Sequence, residues 1–232
     1  MSKVYLVPAV LDELAVNTIP VYIIDAVKDC QVIFAENERT ARRFLKSIWK
    51  EIVIDDYEWF TIHKAEEEQK NSFQQKIEEG KNIAIISEAG CPGIADPGQI
   101  LVDLSHQLNA IVKPLVGPSS VLLALMASGM NGQQFEFVGY LPIDVYERVK
   151  AVKEMETNSQ RKHSTQIFIE TPYRNNQLLE TLFKTCKPST KLCIASELTS
   201  GNEFVKTKTI ADWKKEKTDF HKKPVIFLLY AG

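Results

Sequence analysis

Short apolar runs alternate with longer amphipathic stretches along the first half of the chain. The apolar runs predict strands at residues 4–7, 32–35, 52–54, 83–87 and 111–115. Apolar residues spaced three and four positions apart predict helices at residues 39–49, 65–79 and 97–108. Because strand–helix alternation is typical of βαβ units, the first half is predicted to form a mostly parallel sheet.

The second half has more strands and fewer intervening helices. The pattern predicts helices at residues 119–128, 145–157 and 174–185, with strands at 135–139, 166–170, 191–197, 204–209 and 225–230. The last three strands follow one another with little helix between them, which favours antiparallel pairing and a mixed sheet. Residues 157–164 are predicted to form a loop. We therefore predict an α/β protein of two α/β/α domains, residues 1–114 and 115–232.

Charge is nearly balanced overall but differs between the two halves. The 232 residues carry a net charge of −2, which excludes a polycation that coats nucleic acid. Residues 1–112 hold 11 basic and 18 acidic side chains, whereas residues 113–232 hold 17 and 12. The asymmetry fits two domains with different partners, a cleft whose walls differ in sign, or scatter over two solvated faces.

The four cysteines form no C-x-x-C pair, and no histidine lies at metal-ligand spacing from them. We therefore expect reduced thiols in a cytoplasmic protein, and no metal site. The N-terminal residues lack a long apolar segment, so no signal peptide is expected. No apolar run approaches 18 residues, so no membrane partner is expected either.

Glycine and proline concentrate in one part of the chain. Seven of the ten glycines and five of the ten prolines lie within residues 90–142. The densest segment, SEAGCPGIADPG at residues 87–98, follows a predicted strand and precedes a predicted helix. Open α/β sheets bind ligands at the carboxyl ends of their strands, where glycine admits close backbone approach and proline fixes the loop. A purely structural turn is the alternative; the segment matches neither the P-loop nor the G-x-G-x-x-G motif.

Three further segments also end predicted strands. These are VGPSS at residues 116–120, GYLP at 139–142 and ETPYR at 170–174. Ser119 or Ser120 can cap the helix that follows, and this cap is the alternative to a ligand-binding role. Glu170 and Arg174 place two charges just past an apolar run, where a cleft is expected, although Arg174 could simply be solvated.

These four segments, in this order, resemble the tetrapyrrole methylase family of S-adenosyl-L-methionine-dependent methyltransferases. They are most similar to the branch that methylates small-subunit ribosomal RNA on a ribose 2′-hydroxyl. That branch reads S-D-A-G-T-P-x-I-S-D-P-G, P-G-P-S-A, G-F-L-P and E-S-P-H-R. Two more segments, FAENERT at residues 34–40 and ASELT at 195–199, are similar to A-A-E-D-T-R-x-T and A-R-E-L-T. The resemblance covers residues 4–230.

The chain also departs from this pattern. The family opens with A-T-P-I-G-N, whereas residues 7–12 read VPAVLD and contain no glycine. Glu88 and Asn37 stand where the family has aspartates, and Cys91 stands where it has threonine. An altered first loop could change the substrate or weaken catalysis without removing the cofactor site.

The resemblance implies two α/β domains with S-adenosyl-L-methionine in the cleft between them, and a homodimer. Carried over by position, it implies nine cofactor-binding residues, with much of the contact through main-chain atoms. These are Pro8, Cys91, Ile94, Ser119, Ser120, Glu170, Ala195, Pro224 and Val225. A hydroxyl acceptor benefits from a general base; the candidates are Glu88, Glu36 and His63.

Basic side chains are candidates for binding the substrate. Arg39 and Arg174 are the substrate-binding candidates, and Arg42 and Arg43 lie on the same predicted helix as Arg39. The leading hypothesis is a methyltransferase that acts on ribosomal RNA or the small subunit. The alternatives are a methyltransferase for a tetrapyrrole or another small substrate, and a catalytically idle, cofactor-binding regulatory protein.

Overall fold

The computed structural model describes residues 1–62 and 66–232, which divide into two compact units, Met1–Ser119 and Ser120–Gly232. The first unit comprises β1 (Lys3–Val7), α1 (Ile23–Lys28), β2 (Val32–Ala35), α2 (Glu38–Ile48), β3 (Glu58–Thr61), α3 (Lys70–Glu78), β4 (Ile83–Ile86), α4 (Gln99–Gln107) and β5 (Ile111–Pro114). The second comprises α5 (Ser120–Ser128), β6 (Phe135–Tyr140), α6 (Val145–Lys162), β7 (Thr165–Ile169), α7 (Asn175–Thr185), β8 (Lys191–Ser196), β9 (Phe204–Thr209), α8 (Ile210–Trp213) and β10 (Val225–Tyr230).

The first unit is built on a parallel sheet with strand order β3-β2-β4-β1-β5. The central strand β4 and its neighbour β2 are buried at every position, as expected of a parallel sheet covered on both faces. Ile33 and Ala35 pack into the cluster on one face, and Val32 and Phe34 pack into the cluster on the other. The predicted parallel sheet is confirmed.

The third strand does not lie where the apolar pattern placed it. Residues 52–54 read as a strand, but Ile54–Asp56 forms a 3-10 turn and β3 follows it. Ile52 instead fills the core from the connection between α2 and β3. The residues that pair with β2 are instead Glu58–Thr61, and the Phe60 ring stacks on the Phe34 ring with their centroids 4.6 Å apart.

The second unit is built on a mixed sheet with strand order β6-β7-β10-β8-β9. The β6–β7 pair is parallel, and the remaining pairs are antiparallel. Trp213 is fully buried in its core and donates its indole N–H to the Leu192 carbonyl oxygen at 2.8 Å. The mixed sheet predicted from the closely spaced strands is confirmed, and with it the α/β fold of two domains.

Helix α6 extends through the segment predicted as a loop. Residues 157–162 continue the helix, and His163 ends it in the left-handed conformation at φ 50°. Ser159 is buried within this last turn and donates its hydroxyl to the Ser164 carbonyl oxygen at 2.7 Å. Polar side chains made the segment resemble a loop, but buried hydrogen bonds hold it helical. Among the described helices, α6 included, none is long and apolar enough to cross a membrane.

The boundary between the units falls after Ser119 rather than after residue 114. The connecting residues are hydrogen-bonded to the first unit: the Leu115 N–H reaches the Leu6 carbonyl oxygen at 3.1 Å. The Val116 N–H reaches the Tyr22 hydroxyl at 2.7 Å. These bonds make residues 115–118 part of the N-terminal unit.

Candidate functional site

The carboxyl ends of the parallel strands bring the predicted loops of the first unit to one sheet edge. The chain passes from β1 outward to β2 and β3, then returns through β4, which lies between β2 and β1. The neighbouring strands β1 and β4 are therefore followed by connections that run toward opposite sides of the sheet. Open α/β sheets form a ligand crevice between two such loops. Ala9 and Gly90 join these two loops, exchanging N–H···O bonds of 2.8 and 3.1 Å.

The loop after β5 packs against the loop after β1 without room for a side chain. A Cβ atom built on Gly117 would lie 2.2 Å from Cβ and Cγ of Pro8, so only glycine fits there. The Cys91 thiol donates to the Pro118 carbonyl oxygen at 3.5 Å, and this bond joins the loop after β4 to the loop after β5. The three strand-end loops thus form a continuous layer of closely packed backbone.

The cofactor candidates of the first unit lie in or beside this layer. Pro8 is buried and Cys91 is half-buried. Ile94 is more than half exposed, and Ser119, half-buried, follows directly after Pro118. Burial raises the pKa of the Cys91 thiol, with a further contribution from the charge of Asp96. Cys91 is therefore a neutral hydrogen-bond donor at neutral pH rather than a nucleophile.

The two carboxylate candidates meet beside this layer, although 52 residues separate them. Glu36 follows β2 and accepts the Glu88 backbone N–H at 2.8 Å. The Thr40 hydroxyl donates to the Glu88 carboxylate at 3.2 Å. A depression of about 380 Å³ lies over them, lined by Glu36, Asn37, Glu38, Arg39, Thr61 and Glu88. Two candidate bases and one candidate substrate contact therefore share a single concave surface.

A third carboxylate, Asp96, belongs to this group and was not among the candidate residues. Its pKa is raised to about 7, first by burial and then by the negative charges of Glu36 and Glu88. Asp96 follows Ala95, which is held in the left-handed conformation at φ 65°. The sequence carried one signal for it, because Glu88 and Asp96 are the two charged residues of the 87–98 loop.

The three arginines of helix α2 differ in their partners. Arg42 pairs with Glu38 at 2.5 Å and lies over the Trp59 ring at 5.0 Å, while Arg43 pairs with Glu13 at 3.0 Å. Arg39 is exposed at the depression and has no carboxylate partner within residues 1–62 and 66–232. Of the three, Arg39 is therefore the one available to an anionic ligand.

The third candidate base, His63, lies outside the described residues. Thr61, two positions earlier, lines the depression at the end of β3. The role of His63 stays a prediction.

Glu170 and Arg174 of the second unit form an ion pair at the end of β7. The Glu170 side chain is fully buried, and its Oε1 accepts from Arg174 Nη2 at 2.6 Å and Nε at 3.0 Å. The same oxygen accepts the Thr171 backbone N–H at 2.7 Å. The other oxygen, Oε2, is buried without a hydrogen-bond partner in the described part of the chain. Arg174, predicted to bind substrate, is thus engaged within its own unit.

Three of the remaining candidates lie beside Glu170 in the strand register. Val225 begins β10 and pairs with Ser196, while the next residue of β10 pairs with Ile169, directly before Glu170. Ala195 is buried in β8, and the Pro224 carbonyl oxygen accepts the Glu197 N–H at 3.0 Å. Glu170, Ala195, Pro224 and Val225 therefore share one end of the mixed sheet. Ser120, the last candidate, begins α5.

Sequence patterns did not reveal the unpartnered polar atoms near this sheet end. Ser196 Oγ, Thr199 Oγ1 and Asn175 Oδ1 are buried and, within the described residues, lack hydrogen-bond partners, like Glu170 Oε2. Ser196 and Thr199 belong to the ASELT segment, which was the available signal.

The chain is similar to known methyltransferases in sequence and in fold. The family model described as Tetrapyrrole (Corrin/Porphyrin) Methylases matches residues 14–213. Ribosomal RNA small subunit methyltransferase I of Buchnera aphidicola subsp. Schizaphis graminum is 29% identical over 98% of this chain and 78% of that protein. The protein of the same name from Bacillus subtilis is 30% identical over 93% of this chain and 71% of its own length. The solved structure of the methyltransferase CobJ shares the fold, with a TM-score of 0.64 and 15% identity over 99% of this chain and 92% of that one.

Proposed function

The chain belongs to the tetrapyrrole methylase family and is an S-adenosyl-L-methionine-dependent methyltransferase, and on that premise we propose that it methylates ribosomal RNA of the small subunit. The acceptor we propose is a ribose 2′-hydroxyl, following the branch that the sequence motifs resemble. The names of the Buchnera and Bacillus relatives, which align with most of this chain, support an RNA substrate.

The strand-end loops fit a cofactor that is held mainly through main-chain atoms. Gly117 lies so close to Pro8 that no side chain fits between the loops, and Gly90 is bridged to Ala9 through backbone atoms. In the second unit, Glu170 Oε2 provides a buried acceptor without a partner in the described residues. The residues that would hold the cofactor are Pro8, Cys91, Ile94, Ser119, Ser120, Glu170, Ala195, Pro224 and Val225.

The observation that carries the proposal is the depression that Glu36, Glu88 and Arg39 share. When bound, the cofactor supplies a methyl group on a sulfonium. A hydroxyl acceptor must lose its proton as it is methylated, and a carboxylate in reach can accept it, a contribution of about 10²–10⁴ in rate. Glu88 is our first candidate for this base and Glu36 the second. We propose that Arg39, exposed at the depression, contacts a phosphate next to the acceptor sugar.

Two acidic side chains at the depression, Glu36 and Glu88, have no ion-pair partner in the described residues and distinguish this substrate from a small tetrapyrrole, whereas Glu38 is paired with Arg42. The two unpaired carboxylates would repel the carboxylates of a porphyrinoid, and Arg39 is the arginine of the lining that would offset them. A ribose between two phosphates presents a neutral hydroxyl to the carboxylates while its phosphate meets the arginine. The composition of the depression therefore favours RNA.

The test is methyl transfer from labelled S-adenosyl-L-methionine to small ribosomal subunits from a strain that lacks the corresponding gene. We expect incorporation into the RNA and none into porphyrinoid precursors, and we expect Glu88→Gln to slow single-turnover methylation by about 10²-fold or more. Incorporation into the porphyrinoids alone would replace the proposal with a tetrapyrrole substrate. Cofactor binding without transfer to any of these substrates would support an idle regulatory protein.

We also propose that the protein acts as a homodimer in the cytoplasm. Apolar side chains exposed on edge strand β6 and directly after it support self-association, namely Phe135, Val138, Ile143, Val145 and Tyr146. Light scattering coupled to size exclusion should give twice the 26.3 kDa mass of the chain. A monomer at all concentrations would contradict this part of the proposal.

A further inference from the structure

An aromatic pair lies exposed at the sheet end that carries Glu170 and Val225. Tyr173 is 70% exposed, and the His221 ring, also exposed, meets it edge to face with the centroids 5.9 Å apart. Neither ring belongs to the hydrophobic core of its unit. An exposed aromatic ring held by a neighbouring ring is the kind of surface on which an unpaired nucleobase stacks.

The loop that carries His221 is held rigidly against the loop that carries Tyr173. The Lys222 N–H donates to the Pro172 carbonyl oxygen at 2.9 Å. The buried Asn175 side-chain amide donates to the carbonyl oxygens of Phe220 and Lys223 at 3.0 and 2.8 Å. Because the backbone of these loops is already ordered, a ligand that binds there loses little affinity to the ordering of the loops.

A second set of bonds fixes the approach of this loop to helix α7. Asn176 donates its amide to Asp219 at 2.8 Å and accepts the Phe220 N–H at 2.9 Å. The Asp219 carboxylate also accepts the His221 N–H at 3.0 Å. These interactions lower the pKa of Asp219, the Asn176 side chain contributing most, so the bonds persist at neutral pH.

One unpaired positive charge, that of Lys222, lies beside the ring pair. Lys222 is exposed, has no ion-pair partner among the residues described, and is held in the left-handed conformation at φ 61°. Lys223 follows it and pairs with Glu197 at 2.7 Å. A non-glycine residue in that conformation is strained and needs fixed surroundings, which the loop supplies. An exposed cation beside aromatic faces suits a phosphodiester strand whose base is unstacked.

From this arrangement we propose that the Tyr173 ring, supported by its contact with His221, forms a stacking platform for one unpaired nucleobase of the RNA substrate, with Lys222 contacting the backbone phosphate. The inference rests on the proposed function and adds to it the class of structure that is recognised, a single-stranded segment instead of a helix. Aromatic stacking tolerates any base, so the platform contributes affinity and position rather than sequence choice.

The test compares the affinity of variants for a fluorescently labelled single-stranded oligoadenylate at fixed salt. Tyr173→Ala should weaken binding about 5- to 150-fold, the range that corresponds to the loss of one base–aromatic stack. Tyr173→Phe should bind like the wild type, because the ring remains. Met126→Ala is the control, since Met126 is another large side chain, 79% exposed on α5 of the same unit, and its loss should leave affinity unchanged.

The outcomes separate this inference from the proposed function. If the wild type methylates small subunits while Tyr173→Ala equals it in RNA affinity, the platform is refuted and the proposed function stands. Equal weakening by Met126→Ala would also refute the platform. If the wild type neither binds the oligoadenylate nor methylates small subunits, the proposed function fails and the platform fails with it. S-adenosylhomocysteine affinity and thermal melting, measured on every variant, should be unchanged.

Discussion

The two units treat the charged groups at their strand ends in opposite ways. In the N-terminal unit, Glu36, Glu88 and Arg39 surround an open depression, and none of the three is neutralised by an ion pair within residues 1–62 and 66–232. In the C-terminal unit, the Glu170 carboxylate is fully buried and is bound by Arg174 and by the backbone of Thr171. These three side chains at the first edge are left open to a ligand, whereas the ion pair at the second edge fixes the shape of a loop.

This difference follows from how each sheet ends. Parallel strands finish at one edge, so the first unit collects successive loops there, and close backbone packing such as Pro8 against Gly117 leaves the side chains at the rim. In the mixed sheet, β7 ends where β10 begins, so the Glu170 loop is covered by the segment that leads into Val225. A carboxylate covered in this way must be paired within its own unit.

The largest effect is expected from breaking the buried ion pair of the second unit. Glu170→Ala leaves the Arg174 guanidinium without its carboxylate and the Thr171 N–H without an acceptor. We expect the free energy of unfolding to fall by about 3–5 kcal/mol. Urea denaturation followed by circular dichroism measures it.

Helix α7 offers a control with the same four-residue spacing. Glu180 and Lys184 pair at 3.3 Å with both side chains about three-quarters exposed. Glu180→Ala should cost no more than about 1 kcal/mol. Equal losses in the two variants would show that the Glu170 pair is a surface interaction and would remove the contrast between the units.

A smaller loss is expected from a Cβ atom in the backbone layer of the first unit. Gly117→Ala would place that atom 2.2 Å from the Pro8 ring, and both residues lie at strand ends where the backbone cannot easily move. We expect destabilisation of about 1–3 kcal/mol and a weaker affinity for S-adenosylhomocysteine by calorimetry. Gly132→Ala has open space around it and should match the wild type in both measurements. An unchanged Gly117→Ala variant would mean that the layer is loose.

The positions of the loops in the candidate site could be predicted from the sequence, but the contacts between their charged side chains could not. Apolar runs followed by glycine and proline located the ends of β1, β4 and β5, because strand termination is a local property. Glu36 and Glu88 could each be placed after a strand, but their contact depends on β2 and β4 being neighbours, and strand order is set by the packing of the whole sheet.

The arginines of α2 show the same limit. Their helix was predicted from local spacing, yet Arg42 is engaged by Trp59, which lies in the strand that the apolar pattern placed several residues too early. A local pattern therefore could not predict which of the three arginines remains unpaired. The same holds for Asp96, whose pKa is raised first by burial and then by the charges of Glu36 and Glu88, and only the folded sheet supplies these causes.

A pH-dependent effect is expected from Asp96. Its pKa is about 7 in the folded protein and lies near 4 in an unfolded chain, so the folded state binds the proton more tightly. Stability from this group is present below about pH 4 and is lost as the pH rises to about 7. Asp96→Asn should therefore melt higher than the wild type at pH 8, with the gain shrinking toward pH 4.

Two further variants sharpen this prediction. Glu36→Gln removes one of the charges that raise the Asp96 pKa, so it should reproduce part of the gain at pH 8. Asp103→Asn, at an exposed position on α4, should leave the pH dependence of melting as it is in the wild type. A melting profile for Asp96→Asn that parallels the wild type from pH 4 to 8 would contradict the coupling of the three carboxylates.

The smallest effect on stability is expected for Arg39, the arginine that the depression leaves unpaired. Arg39→Ala removes an exposed side chain without an ion-pair partner in the described residues, so the free energy of unfolding should change by less than about 0.5 kcal/mol. If Arg39 contacts a substrate phosphate, the same variant should weaken RNA binding and reduce the slope of log affinity against log salt by about one. Arg43→Ala, which breaks the exposed pair with Glu13, should leave that slope unchanged, because this arginine does not line the depression. Equal salt slopes for Arg39→Ala and the wild type would mean that the open edge of the N-terminal unit does not meet the RNA backbone through this residue.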